Sequence, residues 1–135
     1  MECCNNQAFY KRDLCWMKNR NHTDTAELEK SKAHIIVEIL EYVPNSILIK
    51  TIIKKSTGNI TVSAVDAGEE LAEKTLAFDC FVQVIDGVGD VIINGKRITL
   101  TLGEGIIIPA HASHCIAATQ QFKMITTVIK SGYND

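Results

Sequence analysis

Beyond Pro44 the chain changes period, and that change constrains its fold more than any other feature. Ile47, Ile49, Thr51 and Ile53 fall on alternate positions, and Ile60, Val62 and Ala64 repeat the pattern after a turn at Thr57-Gly58-Asn59. A period of two places one set of side chains on each face of a strand. Further short apolar runs follow at 81–85, 91–93, 98–102, 106–108, 115–118 and 124–129. Turn residues separate them at Asp86-Gly87, Asn94-Gly95, Gly103-Glu104-Gly105 and Pro109-Ala110. Asn94-Gly95 is the strongest hairpin signal, because both residues tolerate the positive φ of a two-residue turn. Many short strands at close spacing predict an all-β, antiparallel sandwich or closed barrel. Ala67 to Ala77 carries helix-favouring residues, yet a helix would interrupt the series, so this stretch is read as extended or loop.

The region before Pro44 has a different character. Residues 1–22 are polar and Asn-rich, with Phe9, Tyr10 and Trp16 as the points at which an N-terminal extension could dock. Thr23-Asp24-Thr25 ahead of Ala-Glu-Leu-Glu-Lys supplies capping groups before good helix formers, and Ile35, Ile36, Ile39, Leu40 and Val43 recur at helical spacing. A helical segment over 23–43, packed on a barrel formed by 44–130 and followed by a short tail at 131–135, is therefore expected. β-branched residues make a strand reading of its second half almost as good.

With 135 residues the chain is long enough to bury a core as one domain. A formal charge of -2, with no basic stripe, argues against nucleic acid. Five cysteines without paired spacing fit a reducing compartment, and no apolar run near the N-terminus suggests a leader or anchor, so a cytoplasmic location without membrane contact is expected.

Two stretches resemble the paired motifs of the cupin superfamily. Gly68, Lys74, Leu76, Cys80 and Gly87 keep the spacing of the first motif, and Gly103, Pro109, His111, His114 and Ala118 keep that of the second. The resemblance implies a jelly-roll barrel of the small, single-domain cupin 2 type. In metal-binding cupins two His and one Glu of the first motif, with one His of the second, hold the ion. At the matching positions stand Lys74, Leu76, Cys80 and His114, so only one ligand is retained. His111 occupies a position that is usually Gly.

Position parity puts Lys74, Leu76 and Cys80 on one face with Val82 and Val84, while Phe81, Gln83 and Ile85 face the other way and Asp79 points outward. A barrel pocket formed by Lys74, Leu76, Cys80, Val82, His114 and Met124 is expected, taking a small molecule, with Lys74 favouring an anionic or carbonyl-bearing one. Leucine cannot ligate and an ammonium repels a dication, so no cofactor is expected. The alternative is a metal-dependent isomerase or dioxygenase, with zinc, iron, manganese, nickel or copper held by His114, Cys80 and His111. A further alternative makes Cys80 a nucleophile beside His114, its thiol acidified by Lys74. The resemblance also implies a homodimer paired near the N-terminal strands. The strand at 47–53 is apolar on both faces, a hazard if it were an uncovered edge, and either a second subunit or the N-terminal segment could cover it.

Overall fold

The computed structural model describes residues 21–132. It contains ten strands: β1 (Asn21–Asp24), β2 (Ile47–Lys55), β3 (Gly58–Val65), β4 (Glu70–Thr75), β5 (Cys80–Gly87), β6 (Gly89–Ile93), β7 (Lys96–Leu100), β8 (Gly105–Ile108), β9 (Ser113–Ala117) and β10 (Phe122–Ile129). They form a six-stranded sheet in the order β1-β2-β3-β10-β5-β8 and a four-stranded sheet in the order β4-β9-β6-β7. Every pairing is antiparallel except β1 with β2. All the strand segments expected after Pro44 are present. Ala67 to Ala77 is extended as expected, supplying β4 at the edge of the smaller sheet.

The period of two decides where the core lies. Cys80, Val82 and Val84 of β5 point inward and are buried, with Val65, Val91, Ile116, Phe122 and Met124 packed around them. The intervening Phe81, Gln83 and Ile85 face outward, as parity requires. At the β6–β7 hairpin Asn94 and Gly95 adopt φ of 50° and 84°, both in the left-handed region that a type I′ turn demands.

The helix expected over 23–43 does not form. Its place is taken by β1, an irregular strap and a single 3-10 turn at Ile36–Glu38. The candidate capping groups are engaged elsewhere. Asp24 accepts from Ala26 N at 3.1 Å and pairs with Lys50 Nζ at 3.2 Å, and that ammonium also donates to Ala26 O at 2.6 Å. Leu28 N donates to Ile52 O at 3.1 Å, and Glu27 accepts from Lys54 N at 2.6 Å. Residues 21–28 therefore satisfy the outer edge of β2, and these tertiary bonds outweigh a helix propensity of a few tenths of a kcal/mol per residue. The expected N-terminal extension, apart from its last two residues, lies outside the described residues.

The strap also explains the two apolar faces of β2. Ile47 and Ile49 belong to the barrel core, whereas Leu48 lies under Leu40 and Val43 in a second cluster that includes Val62 and Ala64. A polar latch fastens it: Lys123 Nζ donates to Val37 O at 2.6 Å and sits 5.0 Å from the centre of the Tyr42 ring, and Tyr42 donates to Asp86 at 2.5 Å. Burial and this carboxylate push the Tyr42 phenol well above its ordinary range, so it remains a donor. β2 is thus covered on its edge and outer face by residues of its own chain. No helix among the described residues is long and apolar enough to cross a membrane.

Candidate functional site

Two loops at one end of the barrel are tied together and shape its mouth. The β4–β5 connection meets the β8–β9 connection through His111 N, which donates to Leu76 O at 2.6 Å, and Ala110 N, which donates to Asp79 Oδ1 at 2.8 Å. Leu76 and Phe78, in the first of these connections, line the cavity. Asp79 is exposed as expected, and its carboxylate fixes the Pro109-Ala110 turn.

Beneath the loops lies a cavity of about 350 Å³ between the two sheets. Lys74, Leu76, Cys80, Val82, His114 and Met124, the six residues expected to share a pocket, all line it. Strand register accounts for the convergence. Lys74 and His114 are direct cross-strand partners on β4 and β9. On the facing sheet Cys80 lies opposite Val128 and Ile108, and Val82 opposite Thr126 and Ile106.

Sequence reasoning missed a second group of lining residues. Asn59, Thr61 and Ser63 of β3, with Thr126 of β10, form a polar wall, and Lys130 just after β10 places a second ammonium at the cavity. The alternation of β3 carried part of this signal, since Thr61 and Ser63 share the parity of Val65, which is buried in the barrel core. Lys130 carried none, because it follows the last strand. Among the described residues no Asp or Glu lines the cavity.

His114 is 3% exposed, and its Nδ1 lies 3.3 Å from Ala112 O. A carbonyl can only accept, so in this contact Nδ1 is the donor. Cys80, 4% exposed, is the other soft donor. Burial pushes its thiol above the ordinary cysteine range, with the Lys74 ammonium pulling more weakly the other way. Burial thus opposes the acidified thiol considered from sequence. Alkylation by iodoacetamide, followed by peptide mass mapping, is expected to modify Cys80 at least ~10-fold more slowly in the folded chain than in urea, with the rate rising as pH increases toward the raised pKa. Rapid modification at neutral pH would contradict this description.

A conventional metal site needs three or more convergent donors. Here Lys74 and Leu76 stand beside His114 and Cys80, and the remaining candidate, His111, is exposed and does not line the cavity. Its backbone, at φ of 70°, keeps the left-handed turn that glycine would adopt more easily. Among the described residues there is no group of three or more His, Cys, Asp or Glu side chains arranged to hold an ion. The donor set does not fit the ion that the resemblance implies.

The sequence matches no family model and no curated protein. Solved structures do match. A conserved protein of unknown function from Streptococcus pyogenes shares 22% identity over 80% of this chain and 95% of its own, with a TM-score of 0.75. A cupin superfamily protein from Desulfitobacterium hafniense shares 20% identity over 78% of this chain and 97% of its own, with a TM-score of 0.73. A cupin 2 conserved barrel domain protein from Leptotrichia buccalis reaches 30% identity over 72% of this chain, with a TM-score of 0.70. This chain spans about half the length of that protein, matching 47% of it. The motif glycines, the two packed sheets and these likenesses agree, and the chain is a small cupin-fold barrel.

Proposed function

We propose that this barrel binds a small molecule in its cavity without a tight conventional metal site. The supporting observation is a single one: about 350 Å³ of space, of the size that small ligands occupy, is walled by Leu76, Val82 and Met124 with Lys74, Cys80 and His114 among them. A barrel serving only as a scaffold would fill this volume with side chains. The same residues supply too few donors for a mononuclear ion, which disfavours the rival reading of a metal-dependent isomerase or dioxygenase using a Cys/His site.

The two readings separate in protein purified without added metal. Elemental analysis is expected to find far less than one transition ion per chain, and native mass spectrometry to find a small organic molecule that dissociates on unfolding. One ion per chain, lost on His114→Ala or Cys80→Ala, would overturn the proposal in favour of the metal enzyme.

A further inference from the structure

The lining chemistry is asymmetric along the barrel. Lys74 lies near the end of β4 in the four-stranded sheet and Lys130 directly follows β10 of the six-stranded sheet, so a lysine from each side lines the cavity. Among the described residues neither ammonium forms an ion pair, although Lys30, Lys32, Lys50, Lys55 and Arg97 all do. Among the described residues no carboxylate lines the cavity to offset them. Two like charges around a low-dielectric opening create a local positive potential that concentrates anions. Deeper in, Ile49, Leu71, Ile116 and Met124 offer only apolar surface, relieved on one side by the hydroxyls of Thr61, Ser63 and Thr126.

We propose that the cavity takes a small monocarboxylic acid, its carboxylate held between Lys74 and Lys130 and its apolar body extending toward Met124 and Ile116. This inference rests on the reading of the cavity as a small-molecule site and adds the ligand's chemical class. At about 30 Å³ per water-sized group, the volume admits a body of about a dozen non-hydrogen atoms. A carboxylate accepts from both ammoniums, and burial of the body supplies about 25 cal/mol per Å² of apolar surface removed from water. A cationic amine of the same length meets like charge at the opening and is excluded. A dianion with a charge at each end would place its second charge against apolar walls without a partner.

Octanoate is the probe, compared by isothermal titration with 1-octanol and octylamine on the full chain. Octanoate is expected to bind at least ~10-fold more tightly than octanol, with octylamine undetectable and the octanoate affinity falling as salt rises. Lys74→Met with Lys130→Met should bring octanoate down to the level of octanol. Leu76→Trp, at the mouth, should abolish binding of both. Both lysines are solvent-accessible, and circular dichroism of each variant establishes that it is folded. Equal binding of octanoate and octanol, both lost in Leu76→Trp, would overturn the carboxylate assignment and leave the cavity reading intact. Octanoate binding that survives Leu76→Trp, or no binding of either probe, would also overturn the assignment. The cavity reading is then judged separately by the co-purified molecule.

Discussion

Gly87→Ala is expected to destabilise the fold by about 3–5 kcal/mol, far more than alanine at the other motif glycines. Gly87 ends β5 with φ of 75°, and a Cβ built there would lie 2.2 Å from Gln121 O and 3.0 Å from Phe122 Cα. Both are backbone atoms at the start of β10, which pairs with β5 in the middle of the six-stranded sheet. No side-chain rotation can relieve that overlap. Relief requires parting the two strands above Phe122, which is 1% exposed. Gly68 and Gly103 share the positive φ, at 88° each, but an added Cβ would meet nothing within 4 Å. They should therefore incur only the backbone strain, about 1–2 kcal/mol. Urea unfolding of the three variants measures the contrast. Equal losses would mean that the β5–β10 approach at Gly87 is looser than described.

Those glycines explain why the barrel was legible in the sequence. A positive φ at Gly68, Gly87 and Gly103 is a local backbone demand, and so is the Asn94-Gly95 turn; such demands leave their mark one residue at a time. Strand alternation is equally local, and it sorted Cys80 and Val82 from Phe81 and Gln83. The strap failed for the opposite reason. Whether Ala26 to Glu29 coils into a helix depends on what else its polar groups can bind, and Lys50, Ile52 and Lys54 lie more than twenty positions away. Lys123 gives no local hint that it will be buried, because its partners Val37 and Tyr42 are more than eighty positions upstream.

The site divides along the same line. Motif spacing placed Lys74, Leu76, Cys80 and His114, and strand register brings them to one cavity. Lys130 and the hydroxyl wall belong to no motif, and only the packing of β3 beside β10 puts them there. The electrostatic character of the pocket was therefore half visible: one lysine could be read from the chain, while the second, and the lack of a lining carboxylate among the described residues, required the fold.

If the missing ligands are the whole reason that this barrel does not suit an ion, restoring them should create a site. The combined variant Lys74→His, Leu76→His, Cys80→Glu, with His114 unchanged, is expected to bind one zinc or nickel ion per chain, and the parent chain is expected to bind none tightly. The three positions and His114 already line one cavity, and Lys74 pairs directly with His114 across β4 and β9, so the new donors need no backbone rearrangement to face one another. Without metal the variant should be less stable than the parent, because position 80 is 4% exposed and a carboxylate there loses its hydration. With metal at about 1,000 times its Kd the gain should be about 4 kcal/mol, read as a rise in the unfolding midpoint that a chelator reverses. Adding His114→Ala to the variant should weaken binding at least ~100-fold. A restored variant that takes no ion, or one whose affinity ignores His114, would mean that these four side chains share a cavity without meeting at a point.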